Sequence, residues 1–128
     1  MLNYPDYSST GGIDNWTSCS KRIQEDLNTL LTYKNWKEVV THNKQGEYGH
    51  KHHKKTHRFV TKAFKKAGLS GATLKYFGKY HKKGYKKASV YTKAQIQKKK
   101  RILSTYRSQR SIYTFGHMNP YENWTTAK

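Results

Sequence analysis

The sequence predicts a mainly α protein. A small helical domain covers residues 18–107 and is basic from residue 51, between an N-terminal arm (1–17) and an aromatic-containing tail (108–128). Two observations predict this class. Apolar residues recur every three or four positions in several stretches, while no stretch shows the strict alternation of a half-buried strand. Glycines and capping residues also fall where those helical patterns begin and end. A chain of 128 residues gives one domain at most.

The arm carries Pro5, a Gly11-Gly12 pair and several Ser and Thr residues, which favour irregular backbone. From Ser20, Ile23, Leu27, Leu30 and Leu31 keep a helical period. Asn35 is placed to start a second short helix, with Glu38 completing a capping box and Trp36, Val39 and Val40 turned inward. Residues 43–56 read as a polar connector with a histidine cluster. Helical pattern resumes at Phe59 with Val60, Ala63, Phe64 and Ala67 on one face, and Gly68 ends it. Ser70 is placed to cap a further helix that turns Leu74 and Phe77 inward. Thr92 and Gln95 form another capping box, opening a basic helix that runs to about Tyr106.

Leu, Ile, Val and Phe account for 20 of the 128 residues, which limits the core; eleven Tyr and three Trp partly offset that scarcity. The net charge is +19, and it is unevenly spread. Up to residue 50, five bases (Lys21, Arg22, Lys34, Lys37, Lys44) accompany six acids. Beyond it, 21 bases accompany a single acid, Glu122. Such an excess repels itself and calls for a polyanion. Cys19 stands alone, so neither an internal disulfide nor a cysteine zinc site is available. No apolar run is long enough to span a bilayer. The first ten residues lack the pattern of an export signal, so the two Asn-Trp-Thr triplets at 15–17 and 123–125 read as coincidental. An intracellular, nucleoprotein-associated location or one within a virion is expected.

The segment Ala67-Gly68-Leu69-Ser70-Gly71-Ala72-Thr73-Leu74 resembles the turn of helix-turn-helix DNA-binding domains. Gly68 would supply the positive φ of the turn, Leu69 would fill the angle, and Ser70 would cap the second helix. The resemblance covers about residues 59–83. It implies that Ser70, Gly71, Ala72, Lys75, Tyr76 and Lys79 face the major groove while Thr73 and neighbouring lysines touch phosphates.

Other residues point to backbone binding without a motif. Tyr76, Tyr80 and Tyr85 alternate with Lys75, Lys79, Lys82, Lys83, Lys86 and Lys87, as rings stacked on bases alternate with ammonium groups on phosphates. Tyr76 and Tyr80 admit a second reading, as an i, i+4 packing pair. Lys98, Lys99, Lys100 and Arg101 put four charges around one helix. Together with Arg58, Lys62, Lys65 and Lys66 these complete the expected nucleic-acid-binding set. His50, His52, His53 and His57 lie among Lys51, Lys54, Lys55 and Arg58, which oppose a cation, so no metal or other cofactor is expected there. They read as part of a phosphate-facing surface that strengthens below about pH 6.5.

The expected function is non-enzymatic binding of nucleic acid, DNA or RNA, through the basic half. The alternative is a structural component of a nucleoprotein assembly, ribosomal or viral, with other subunits as neighbours. Carboxylates suited to hydrolytic or transfer chemistry are missing from the basic half except for Glu122.

Overall fold

The computed structural model describes residues 3–82, 89–121 and 123–127. About half of the chain is helical, and a three-stranded mixed sheet accompanies the helices. The protein is therefore α/β, and the expected mainly α class is corrected. The chain divides into two compact units, residues 1–77 with 124–128, and residues 78–123.

The first unit is a strand–helix–strand crossover with one helix packed against it. Helix α1 (Ser20–Thr32) buries Ile23 and Leu31, as its period requires. Strand β1 (Glu38–Thr41) follows, then a single helical turn, α2 (Gly46–Gly49), and the long helix α3 (Lys51–Ala67). Strand β2 (Thr73–Phe77) returns parallel to β1, with Val39 opposite Leu74 and Val40 opposite Lys75. Parallel partners need a long connection, and α3 supplies it. Strand β3 (Trp124–Thr126) closes the sheet antiparallel to β2, with Trp124 opposite Phe77.

Two expected helices are strands, and side-chain chemistry explains both. Glu38-Val39-Val40-Thr41 and Thr73-Leu74-Lys75-Tyr76-Phe77 are rich in β-branched and aromatic residues, which suit a pleated, half-buried surface. The second correction removes the reading helix of the helix-turn-helix pair: residues 73–77 are the central strand of the sheet. Gly68 does end α3 in the left-handed conformation (φ 60°, ψ 35°), but Ser70 sits in a turn and caps no helix. Helix α3 begins eight residues before Phe59, inside the expected connector.

Among the described residues, the buried apolar ones are Ile23, Leu31, Val60, Ala63 and Leu74. Each of the larger ones contributes about 1.5–3 kcal/mol on burial, so this small core binds α1, α3 and β2 together. The Gln24 amide adds a hydrogen bond to the Phe59 carbonyl (3.2 Å). Residues of the expected arm are held too. The Trp16 indole stacks on His52 (3.9 Å between ring centroids) and donates to the Pro5 carbonyl, while a His52 ring nitrogen meets the Asp14 carbonyl (2.7 Å).

The second unit contains α4 (Lys93–Leu103) and a 3-10 helix over Arg107–Tyr121, which begins at the last residue of the expected domain and runs through the first part of the stretch expected as a tail. Thr92 and Gln95 make the reciprocal capping box. The Val90 amide donates to the Pro120 carbonyl (2.9 Å), and Tyr80 meets Phe115 and His117 edge-on. No residue of α4 is buried, and Ile102 is half exposed.

Candidate functional site

Helix α3 presents three distinct faces. At 100° per residue, His52, Thr56, Val60 and Ala63 point into the unit, with His52, Val60 and Ala63 buried. Lys51, Lys54, Arg58, Lys62 and Lys65 recur at intervals of three or four residues and are all exposed. They fall within an arc of about 80° and extend over about 21 Å of helix. Among the described residues, none of the five meets a carboxylate. This is a continuous, unneutralised basic stripe. Lys66 flanks it on the exposed side.

The third face looks into a cleft of about 690 Å³ between α3, β2 and β3. His57, Thr61, Phe64 and Lys65 line it from α3, Thr73, Leu74 and Tyr76 from β2, and Lys44 from the loop after β1. None of the described residues lining it is acidic. The Tyr76 ring lies 4.7 Å from the His57 ring, and its hydroxyl shares a 3.1 Å hydrogen bond with Thr61. Lys65 borders both stripe and cleft, so the two surfaces are continuous.

A third constellation lies where β1 leads into α3. Nδ1 of His42 and Nδ1 of His53 lie 2.9 and 2.6 Å from the same Glu47 Oε2. The two imidazoles stack at 3.8 Å. The other carboxylate oxygen of Glu47 accepts the Asn43 amide (2.9 Å), and Asn43 ties the loop to the Phe77 carbonyl through its side chain. Burial holds His53 below the usual imidazole range, and neighbouring His42 adds to that, against the opposing pull of Glu47. His50 is lowered by burial first, then by His53 and His52.

The structure scatters the residues expected to bind nucleic acid. Arg58, Lys62 and Lys65 join the stripe, with Lys66 beside it. Ser70 and Thr73 are exposed around the turn into β2. Lys75, expected to read bases, forms an ion pair with Glu38 on the neighbouring strand. Tyr76 is half-buried against His57. Lys79 and Lys82 are exposed and Tyr80 half-buried in the second unit, where Lys98, Lys100 and Arg101 are exposed on α4 and Lys99 is partly covered. Lys83, Tyr85, Lys86 and Lys87 lie outside the described residues. The histidines do not form one surface, because His52 is buried under Trp16. Lys44, Lys51 and Lys54 were missing from the expected set; the three-and-four spacing that runs from Lys51 through Lys65 was the signal for the two on α3, and Lys44, on the loop after β1, had none. Among the described residues, no helix is long and apolar enough to cross a membrane.

No protein-family model matches the chain, and no solved structure matches it. A stretch of 49 residues is 45% identical to "Uncharacterized protein L374" of Acanthamoeba polyphaga mimivirus. The match takes in 38% of this chain and 21% of that protein, so the chain spans about a fifth of the length of the relative it resembles.

Proposed function

We propose that the chain is a nucleic-acid-binding protein that grips the phosphate backbone along α3. The observation that carries this reading is the stripe Lys51–Lys54–Arg58–Lys62–Lys65, five exposed cations on one helix face, none of which pairs with a carboxylate among the described residues. Duplex DNA carries a negative charge about every 1.7 Å of axis, so a 21 Å stripe has about twelve phosphate charges within its length to pair with. Pairing of this kind is independent of sequence. The cleft beside the stripe suits a nucleotide that has left its stack: Phe64 and Leu74 offer an apolar wall, and Lys44 and Lys65 offer cations for its phosphate.

The test replaces Lys54, Arg58 and Lys62 together by Gln and measures binding to duplex DNA, single-stranded DNA and structured RNA. Weakening on every nucleic acid bound by the wild type supports the reading. Unchanged affinity on all of them removes α3 as the binding face.

A second reading, a structural subunit of a nucleoprotein assembly, draws on α4. That helix buries no residue, and Val90, Ile102 and Tyr106 around it are 63%, 52% and 55% exposed among its cations. A helix enclosed by nucleic acid and neighbouring subunits would cover these side chains, on it and beside it.

A further inference from the structure

We propose that His42, Glu47 and His53 form a binding site for one divalent transition-metal ion of the zinc class. One ligand atom from each of the three side chains lies within 4.8 Å of the others. The first follows β1, the second sits on the turn α2, and the third lies in the first turn of α3. Both ring nitrogens already converge on one carboxylate oxygen, at 2.9 and 2.6 Å. Ligands at zinc distances of 2.0–2.2 Å in a tetrahedron stand about 3.3 Å apart. Glu47 Oε2 therefore has to draw back by about 0.4 Å from one imidazole and 0.7 Å from the other, and the stacked rings (13° between planes) have to tilt apart, to open the cluster to an ion. The donor set of two imidazoles and one carboxylate selects zinc, cobalt, nickel or copper over magnesium and calcium, which prefer oxygen donors throughout.

The surroundings prepare the donors. The Asn43 amide holds the second oxygen of Glu47, which leaves Oε2 to face the imidazoles. The Asn43 side-chain oxygen accepts the backbone amides of Gln45 and Glu47 and fixes the turn. Gly46 lets this turn lie against α3: a Cβ there would come within 3.0 Å of Lys54 Cγ and 3.2 Å of His53 Cβ. The ring of His50 lies 4.6 Å from that of His53, and its Nδ1 is buried without a hydrogen-bond partner. Lys44, Lys51 and Lys54 surround the site and lower its affinity. The Glu47 carboxylate opposes them, and bound polyanion would relieve the repulsion further.

The experiment titrates the chelator-treated full chain with Co²⁺, following visible absorption and thermal stability, and then adds Zn²⁺ or Mg²⁺. One Co²⁺ binds per chain with the intense bands of a low-coordinate ion, the melting temperature rises, Zn²⁺ displaces the cobalt and Mg²⁺ does not. His42→Ala and His53→Ala each weaken binding by about 100-fold, the upper end of what even supporting groups cost. Glu47→Gln, which keeps the shape of the side chain, does the same and serves where an alanine variant fails to fold. His117→Gln leaves binding unchanged. No absorption and no thermal shift in the wild type overturns the site. So does undiminished binding in Glu47→Gln, or a loss of binding that requires His117, because either places the ion on other imidazoles.

Discussion

The Trp16 indole lies flat on the His52 imidazole, with 3.9 Å between ring centroids and 7° between planes. This contact fastens the first residues of the chain to the helix that carries the basic stripe. His52 occupies the core-facing side of α3, where a hydrophobic residue would ordinarily sit, and Trp16 covers it. Trp16→Ala should therefore cost about 1–2 kcal/mol, an aromatic pair plus part of a large buried area, measured by chemical denaturation. The loss should appear as reduced stability of the first unit, with the α4 capping box intact by amide exchange.

Charge removal on α3 should be readable residue by residue. Each phosphate contact contributes about 0.9 to the slope of log affinity against log salt on duplex DNA. Lys62→Gln should lower the magnitude of that slope by about one. Lys75→Gln should lower it by much less, since Glu38 already neutralises Lys75. Equal changes for the two variants would mean that the ion pair opens on binding.

Acid should weaken the metal-free fold. His53 and His50 titrate below the ordinary imidazole value of about 6.5 when folded. The unfolded chain then binds more protons as pH falls below that value, so the stabilising contribution is complete above about pH 6.5 and declines on acidification. Glu47 and Asp6 pull the other way, and His42 and His52 stand among the neighbours. Urea denaturation of chelator-treated protein at pH 7.5 and pH 5.5 should give the lower midpoint at pH 5.5, with the difference reduced in a His50→Gln/His53→Gln variant.

Gly46 supports a prediction about the turn itself. It has φ of +67°, and a Cβ there would press on Lys54 and His53 at 3.0–3.2 Å. Gly46→Ala should cost about 1–3 kcal/mol through strain and displacement of the turn. Gly71→Ala, in open space, should be close to neutral.

The sequence disclosed the parts of the fold that depend on local signals. Helix α1, the glycine stop at Gly68 and the Thr92–Gln95 capping box are each set by residues a few positions apart. The sheet was not legible, because β1 and β2 pair across more than thirty residues and each offers too few residues to show alternation. Leu74 and Phe77, three apart, imitate a helical face even though they lie on a strand. The first half of α3 was hidden for a different reason: its inward residues are His52 and Thr56, so the period was present without the hydrophobicity that reveals it. The cluster at His42 escaped for the same kind of reason. Its carboxylate, Glu47, lies outside the histidine run, on a turn whose geometry (φ 56° at Glu47) no spacing rule anticipates.

The most direct measurement is the salt dependence of duplex DNA binding by the wild-type chain alone. Five contacts along α3 predict a log–log slope of about −4.5, or a loss of about 500-fold between 50 and 200 mM salt. A flat dependence, or no binding at 50 mM salt to DNA or RNA, would contradict a backbone grip by the basic stripe.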